Sequence, residues 1–215
     1  MTRACLVDVY DTILTSDFAA RARALTAFAG VDTDLWLTEW LRAHTERDRG
    51  KLTVAGSFEQ TLLACGVDPE PGLVAELVRL DCELMREHCR LYEDTVPFFG
   101  RLRAQGISIA LVSNCGNTTR PLLDYLGVIP LVDAAILSCE VGSIKPFPDI
   151  YACALEELGV AAADAVMVDD QPGYCAGAEA AGVRAIRIAR GDLDGQVSGS
   201  GFPVVRSLSD VPALL

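Results

Sequence analysis

Short apolar runs recur along the 215-residue chain and alternate with segments whose apolar residues have helical spacing. Each run is the length of a strand and lacks polar alternation, which is typical of a strand buried on both faces. Several of the helical segments end in glycine, the residue best suited to the left-handed cap of a helix. This alternation predicts an α/β fold with a Rossmann-like, three-layer core and a mostly parallel sheet. The runs cover residues 4–9, 107–112, 134–137, 165–168 and 184–188, with a short strand expected near Val204; the glycines are Gly106, Gly127, Gly159 and Gly182.

One long segment interrupts the alternation, because no strand signal occurs between the first apolar run and the second. Its apolar residues recur at helical spacing in four stretches, so we expect about four helices there. Ser57 and Gln60 have the spacing of a capping box, which places a helix start at Ser57. The segment is therefore predicted to be an all-helical cap domain. The predicted helices cover residues 18–29, 34–47, 57–65 and 71–89, the cap residues 15–93, and the α/β core residues 1–14 and 94–215.

The charge and hydropathy of the chain limit its partners. With 18 Lys and Arg against 30 Asp and Glu, the net charge is −12, and no basic run is present, so nucleic-acid binding is not expected. The apolar runs are far shorter than the roughly 20 residues that span a bilayer, so no membrane segment is expected. Asp8 interrupts the N-terminal apolar stretch where a secretory signal would be unbroken, which favours a cytoplasmic protein. The oligomeric state is left open.

The cysteines do not have the spacing of a metal site or a disulfide framework. No Cys-x-x-Cys occurs, and the two histidines lie far apart in the sequence. Most of the cysteines fall in apolar, periodic segments, so we expect buried free thiols. They are residues 5, 65, 82, 89, 115, 139, 153 and 175.

Polar residues follow the apolar runs at the points where ligands bind in open parallel sheets. Taken singly, each has a simple structural explanation: an acid or a serine after a strand often caps a helix, and a lysine before proline is usually solvated. Together they offer a nucleophile, hydrogen-bond donors, a cation and a metal site. They are Asp8 to Thr12, Ser113 and Asn114, Lys145, and the pair Asp169 and Asp170.

In this order the four groups resemble the motifs of the haloacid dehalogenase-like hydrolase superfamily: an Asp-led strand end, a Ser or Thr, a Lys, and an acidic pair. The resemblance spans the whole chain. In that superfamily a helical cap is inserted after the first motif, and here 105 positions separate Asp8 from Ser113 whereas 32 separate Ser113 from Lys145. Only the first gap is long enough to hold a cap.

The resemblance implies a role for each group. Asp8 is the expected nucleophile, which forms a covalent ester or acyl phosphate with the substrate. Ser113 and Asn114 are expected to hydrogen-bond the transferring group, and Lys145 to screen its charge. Mg²⁺ is the expected cofactor, since it prefers oxygen ligands, and the expected substrate is a small anionic molecule. The predicted metal ligands are Asp8, the main-chain carbonyl of Tyr10, Asp169 and Asp170.

The first motif departs from the pattern of the phosphatases at two positions. Phosphatases of the superfamily usually have a second Asp, which serves as general acid and base, where this chain has Tyr10. Tyrosine at this position is similar to the hydrolytic 2-haloacid dehalogenases, in which halide leaves without a proton. Asp11 replaces the usual glycine, and its carboxylate either takes over proton transfer or caps the following turn.

Three functions remain open from the sequence. The first is a Mg²⁺-dependent phosphatase of small phosphorylated metabolites that acts through an aspartyl-phosphate intermediate. The second is a metal-independent 2-haloacid dehalogenase that acts through an aspartyl ester. The third is a non-catalytic binding module. The acidic pair Asp169 and Asp170 favours the first, because a dehalogenase has no use for two charged carboxylates beside Asp8 without a counter-ion.

The predicted cap contains an aromatic stripe and a small basic cluster. Trp36 and Trp40 lie at helical spacing, and we expect them to pack inside the cap. Most residues of the basic cluster are expected to be solvated, but one arginine is a candidate to bind a substrate anion, and loss of binding without loss of fold in Arg49→Ala would support that role. None is assigned to the site. The cluster consists of Arg42, His44, Arg47 and Arg49.

Overall fold

The computed structural model describes residues 2–191 and 201–215, in which a six-stranded sheet has helices on both faces. A further group of helices follows the first strand. The strands are β1 (Ala4–Val7), β2 (Leu14–Ser16), β3 (Cys89–Leu91), β4 (Ser108–Ser113), β5 (Ala134–Leu137), β6 (Ala165–Asp169), β7 (Arg184–Ile188) and β8 (Val204–Val205). The α-helices are α1 (Phe18–Ala29), α2 (Thr33–Arg42), α3 (His44–Asp48), α4 (Val54–Ala64), α5 (Pro71–His88), α6 (Thr95–Ala104), α7 (Thr119–Tyr125), α8 (Ser138–Val141), α9 (Pro148–Leu158) and α10 (Pro172–Ala180). Short 3₁₀ helices cover Ile129–Leu131, Ala162–Asp164 and Leu208–Leu214.

The strand order of the large sheet is β5-β4-β1-β6-β7-β8, and every neighbouring pair is parallel. The central strands are apolar along their length because both faces of the sheet are covered. In β1, Cys5 and Val7 belong to one core cluster, whereas Ala4 and Leu6 belong to the other. The predicted α/β fold with a mostly parallel sheet is confirmed.

Helices cover the two faces of the sheet and complete three layers. Helices α6 and α7 and the last 3₁₀ helix supply apolar side chains such as Phe98 and Val211 to one cluster. Helices α9 and α10 supply Ile150 and Ala178 to the other. Both clusters extend across the central strands, so the carboxyl ends of those strands are held in a rigid frame.

Helices α1 to α5 are here called the helical insertion, and α1, α2, α4 and α5 pack around an apolar cluster of their own. Trp36 and Trp40 are buried in this cluster, as expected, and the ring of Trp40 stacks on Phe58 with centroids 4.9 Å apart. The borders predicted for a cap domain, residues 15–93, stay a prediction.

Two short strands that the sequence did not predict join the helical insertion to the rest of the fold. Strands β2 and β3 pair antiparallel, with Leu14 opposite Leu91 and Ser16 opposite Cys89. The expectation that no strand lies between the first and second apolar runs is therefore wrong. Three residues are too few to show the two-residue period by which strands are recognised.

The helix boundaries differ from expectation at two places in the insertion. Helix α4 begins three residues early, because the Thr53 hydroxyl accepts a hydrogen bond from the Gly56 N–H and so caps the helix. Ser57 lies inside the helix and is buried, so the capping box predicted there is wrong. The single helix predicted over residues 34–47 is interrupted at Ala43, where no glycine or proline gave a signal.

The eight cysteines are all free thiols, as expected. Burial is complete or nearly so for half of them, and the others are partly exposed, which corrects the expectation that all are buried. The buried cysteines are Cys5, Cys89, Cys115 and Cys175.

Strand β8 confirms the short strand expected near Val204. The glycine- and serine-rich loop expected over residues 191–201 lies mostly outside the described residues. Among the residues that are described, no helix combines the length and the apolar character needed to span a membrane.

Asp94 ties the C-terminal segment to the start of α6. Its carboxylate accepts hydrogen bonds from the Arg190 guanidinium at 2.8 and 3.2 Å, from the Ser207 hydroxyl at 2.7 Å and from the Leu208 N–H at 2.8 Å. Burial opposes the charge of Asp94, but these bonds outweigh it and hold the pKa of the carboxyl below its ordinary value. Arg190 also donates to the carbonyl of Thr12, beside the first motif.

Substitution of Asp94 by Asn is expected to lower the free energy of unfolding at pH 7 by about 1–3 kcal/mol, since the charged acceptor is lost. A carboxyl with a lowered native pKa stabilises the fold above its unfolded pKa of about 3.9, and this contribution is lost as the pH falls through the native value. The difference between the two proteins should therefore shrink below about pH 4. Urea unfolding from pH 7 to pH 3 measures it, with the exposed Asp124→Asn as control; a constant difference would contradict the prediction.

Candidate active site

The carboxyl ends of three adjacent strands bring the predicted site residues together. Asp8 follows β1, Ser113 ends β4, and Asp169 ends β6. Because β1 lies between β4 and β6 and all three are parallel, these ends meet at one edge of the sheet. All three side chains are buried.

Lys145 enters the site from the loop between α8 and α9. Its Nζ donates to Asp8 Oδ1 and to Asp169 Oδ2, each at 2.6 Å, and the side chain is fully buried. Burial by itself lowers the pKa of the ammonium, but the two carboxylates outweigh it and raise the pKa above its ordinary value. Lys145 is therefore a permanent cation between the two acids and not the solvated lysine that its position before proline would allow.

Two neighbours hold the backbone of Lys145 in place. The Asn114 side chain accepts a hydrogen bond from the Lys145 N–H at 2.7 Å and donates to its carbonyl at 2.9 Å. Gly177 in α10 packs directly on Pro146, where a Cβ would lie only 2.5 Å from the proline Cβ. Asn114 thus positions Lys145, and its expected contact with the transferring group stays a prediction.

Three carboxylates converge at this edge of the sheet. Asp8, Asp169 and Asp170 each offer an oxygen, and these oxygens lie within 4.8 Å of one another. Asp8 Oδ2 accepts from the Thr12 hydroxyl, and Asp169 Oδ1 accepts from the Gln171 N–H. Within the described chain, the Asp170 carboxylate accepts no hydrogen bond. An all-oxygen set of this kind fits a hard cation such as Mg²⁺.

Burial and neighbouring charges raise the pKa values of the acidic pair. Burial, together with the charges of Asp8 and Asp169, raises the pKa of Asp170 to about 7. Burial also raises the pKa of Asp169, against the opposing effect of Lys145. Burial is the largest cause of both shifts, and the charge of Asp8 adds to it at each of the two carboxyls.

A cavity of about 220 Å³ opens beside Asp8. Ser113 lines it, and the Ser113 Oγ is buried without a hydrogen-bond partner among the described residues. A buried hydroxyl left free in this way is available to a ligand. The lining residues are Asp8, Tyr10, Asp11, Asp48, Ser113, Asn114, Asp170, Gln171 and Tyr174.

Tyr10 and Asp11 both line the cavity but differ in their contacts. The Tyr10 hydroxyl lies 3.0 Å from the Thr119 hydroxyl, and burial raises its pKa, so the phenol stays protonated. Asp11 has a φ of 56°, a left-handed conformation that aspartate tolerates better than most residues. Its carboxylate accepts no hydrogen bond from a described backbone group, so it does not cap the turn. Burial and the charge of Asp8 raise the pKa of Asp11.

Sequence reasoning missed three residues of this cavity: Asp48, Gln171 and Tyr174. Tyr174 lies in α10, its ring faces the Lys145 Nζ at 4.8 Å, and its hydroxyl accepts from the Asn114 amide at 3.2 Å. The sequence held one signal for Tyr174: it follows Asp169 by five residues and so lies close to the acidic pair of the fourth motif. Asp48 comes from α3 of the helical insertion, and no pattern in the sequence placed it near Asp8.

Comparison with known proteins gives consistent results. A family profile described as haloacid dehalogenase-like hydrolase matches residues 2–182. A glyceraldehyde 3-phosphate phosphatase from Methanopyrus kandleri is 33% identical over 200 residues, which cover 89% of this chain and 85% of that protein. An (S)-2-haloacid dehalogenase from Pseudomonas sp. is 28% identical over 223 residues, which cover 99% of this chain and 96% of the relative.

Solved structures agree with these matches. The crystal structure of an HAD phosphatase from Thermococcus onnurineus superposes with a TM-score of 0.75 at 25% identity, covering 100% of this chain and 97% of the other. Both a phosphatase and a dehalogenase are thus among the similar proteins, and the chemistry of the site has to decide between them.

Proposed function

Because the chain belongs to the haloacid dehalogenase-like hydrolase family, we propose that it is a Mg²⁺-dependent phosphatase of small phosphorylated metabolites that uses Asp8 as nucleophile. The observation that carries the proposal is the group of three carboxylates beside the Asp8 cavity, of which Lys145 pairs with Asp8 and Asp169 but not with Asp170. A dianionic phosphoryl group would be repelled there without a further cation. Similar proteins that are named phosphatases support the same reading.

The carboxylate oxygens of the site are divided between Lys145 and the proposed Mg²⁺. Lys145 is bound to Asp8 Oδ1 and Asp169 Oδ2, and Asp169 is further engaged by the Gln171 N–H. Asp170 has no such partner and lines the cavity, so we assign Asp8 and Asp170 as direct ligands of Mg²⁺, with Asp169 holding Lys145 and the Tyr10 carbonyl completing the protein ligands. When bound, Mg²⁺ neutralises the phosphoryl oxygens and fixes their orientation.

The chain's own residues then perform the two displacements. The Asp8 carboxylate attacks phosphorus, the bond from phosphorus to the leaving oxygen breaks, and an aspartyl phosphate forms. The free Ser113 Oγ donates to a phosphoryl oxygen, while the hydrogen bond from Lys145 orients the Asp8 carboxylate. Water then attacks the aspartyl phosphate, which releases phosphate and restores Asp8. Asp11, whose carboxylate is free of backbone hydrogen bonds, is the candidate base for that water.

Tyr10 limits the choice of leaving group. A protonated phenol with a raised pKa is a weak acid at neutral pH, and its hydroxyl is already bonded to Thr119. An alkoxide leaving group therefore departs with little help, whereas the carboxylate released from an acyl phosphate needs no proton. We infer that the enzyme favours substrates with good leaving groups.

The substitution Tyr10→Asp tests this point. It is expected to raise kcat for alkyl phosphate monoesters by about 10²-fold, because a carboxyl group at this position supplies general acid catalysis. Hydrolysis of acetyl phosphate should change little. Tyr10→Phe is the matched control and should bring no gain on either substrate. If Tyr10→Asp changed the hydrolysis of alkyl phosphates and of acetyl phosphate equally, the absence of a general acid at this position would not explain the substrate preference.

Tyr10 also favours a second candidate, a metal-independent dehalogenase of 2-haloacids. In that reaction Asp8 displaces halide from carbon and forms an ester, which water then hydrolyses. Halide leaves as a stable anion, so the missing acid would not matter. The three converging carboxylates argue against this function, since a carboxylate substrate would meet the same uncompensated negative charge.

The deciding experiment measures phosphate release from alkyl phosphates and acetyl phosphate, with Mg²⁺ and with chelator, beside chloride release from 2-chloropropionate. Phosphate release that requires Mg²⁺ supports the phosphatase. Chloride release that persists in chelator would replace it with the dehalogenase. Neither product from any compound would leave the non-catalytic binding module as the remaining function.

A further inference from the structure

A second cavity of about 280 Å³ lies beside the Asp8 cavity, between the helical insertion and the α/β core. The two cavities share Tyr10, Asp11 and Asp48 as lining residues. A ligand whose phosphate lies at Asp8 therefore has room to extend past Tyr10 into the second cavity. The residues that line this extension bear on which substrate the enzyme accepts.

Arg47, from α3, lines the second cavity and is held on two sides. Its guanidinium stacks on the Trp40 ring at 4.0 Å, and its stem lies against Gly116, where a Cβ would be 3.3 Å from the Arg47 Cγ. Only 8% of the residue is exposed. Glycine at position 116 is thus what allows the arginine to pass so close to the core.

Arg47 has no ion-pair partner within 4.0 Å in the described part of the chain. Its nearest hydrogen bond is a long one, from Nη1 to the Trp40 carbonyl at 3.4 Å. Burial of the guanidinium lowers its pKa, which reflects the cost of keeping this charge out of water. A buried arginine without a carboxylate leaves several donors of its planar fork unused.

The other charges of the cavity do not satisfy Arg47. Arg21 and Asp81 form a buried ion pair at 3.0 Å, so these two charges compensate each other. Asp48 lies farther than 4.0 Å from the Arg47 guanidinium, and burial raises the pKa of its carboxyl. The charges of Asp48 and Asp81 partly offset the effect of burial on the Arg47 pKa, but no described carboxylate lies within 4.0 Å of the guanidinium.

The other residues of the basic cluster do not line the second cavity. Arg42 is largely exposed and pairs with Glu39, and His44 bonds to the Leu41 carbonyl. Arg49 lies over the Phe147 ring at 5.2 Å and its Nε has no hydrogen-bond partner among the described residues, but it lines neither of the two cavities. The structure thus singles out one of the four residues that the sequence offered.

We propose that Arg47 binds a second oxyanion of the substrate, a carboxylate or a second phosphate, while the hydrolysed phosphate lies at Asp8. The proposal rests on the proposed function for the position of the first phosphate. Arginine suits this role because its fork matches both groups with two parallel hydrogen bonds. The substrate class is then a phosphate monoester that carries a further anionic group, and Arg47 is a specificity residue.

Binding to the Asp8→Asn protein tests the proposal without turnover. Calorimetry with Mg²⁺ compares 3-phosphoglycerate with glycerol 3-phosphate, which differ only in a carboxylate against a CH₂OH group. We expect 3-phosphoglycerate to bind about 30-fold tighter, and Arg47→Met to remove most of this preference with little effect on glycerol 3-phosphate. Arg47→Lys, which keeps the charge but not the fork, should recover part of it. A comparison of 3-phosphoglycerate with glycerol 1,3-bisphosphate shows whether Arg47 prefers a carboxylate or a second phosphate. The compound with the preferred group should bind tighter.

Controls separate recognition from a structural role. Arg42→Met is the matched control and should preserve the preference, and thermal unfolding checks that Arg47→Met remains folded. Equal binding of the two compounds, binding of neither, or equal loss for both in Arg47→Met would overturn the proposal. Tighter binding of phosphoethanolamine would also overturn it, because Asp48 would then be the recognition group. Arg47-dependent binding without hydrolysis by the wild-type protein would reject the proposed function and leave the oxyanion site standing.

Discussion

Asp8→Asn is expected to reduce kcat for phosphate release by about 10⁵-fold, because the amide does not attack phosphorus and no other carboxylate occupies its place on β1. Asp169 and Asp170 lie at the end of a different strand, β6, and do not replace Asp8. The loss should be equal for acyl and alkyl phosphates, since both require the same nucleophile. Measurement of phosphate release with Mg²⁺ at saturating substrate gives the value.

The fold should survive this substitution. Lys145 keeps its bond to Asp169, and the backbone N–H of residue 8 keeps its bond to the Val168 carbonyl. Circular dichroism and the melting temperature check this, and Asp124→Asn is the control for the loss of one surface charge. If the Asp8→Asn protein were folded and kept appreciable activity, Asp8 would not be the nucleophile of either the phosphatase or the dehalogenase mechanism.

Lys145→Met is expected to lower the free energy of unfolding by about 3–5 kcal/mol in the presence of chelator, because two buried carboxylates lose their shared counter-ion. Methionine fills nearly the same space, so the effect is one of charge and not of packing. Mg²⁺ should restore part of the stability, since it supplies positive charge to the same carboxylates. Urea unfolding with chelator and with Mg²⁺ measures both effects.

The chain provides a matched control, because Lys51 is its only other lysine. The Lys51 ammonium lies 3.7 Å from Glu46, and both side chains are more than half exposed. Lys51→Met should therefore change the stability by less than about 0.5 kcal/mol. If Lys145→Met proved as stable as the wild-type protein in chelator, the three carboxylates would not carry the charge that the metal proposal requires.

The sequence predicted most of the fold because hydrophobic periodicity is a local signal. The bounds expected for β5 and β7 agree with the structure: β5 is an apolar run between Asp133 and Ser138, and β7 begins two residues after Gly182. Strands β2 and β3 were not predicted, because each is stabilised by pairing with the other and neither has a hydrophobic pattern that indicates a strand. The start of α4 was misplaced because Ser57 and Thr53 are both capping residue types, and only geometry decides which one accepts from the helix.

The site was less predictable than the fold. Motif order placed Asp8, Ser113 and Asp169 at neighbouring strand ends, but no sequence pattern states that one lysine contacts two carboxylates at 2.6 Å. Arg47, Arg42 and Arg49 look alike in the sequence. They differ only in burial and neighbours, which depend on how the helical insertion packs against the core.

The strand order of the sheet ties catalysis to the completeness of folding. Asp8 and Lys145 are 137 positions apart along the chain, and β1 must pair with β4 on one side and β6 on the other before they meet. The centre is thus a feature of high contact order, whose assembly requires closure of long loops and the loss of much chain entropy. A fragment that holds the whole centre must span at least residues 8–170. Recovery of activity after denaturation therefore reports on the last, global stage of folding and not on the early formation of individual helices.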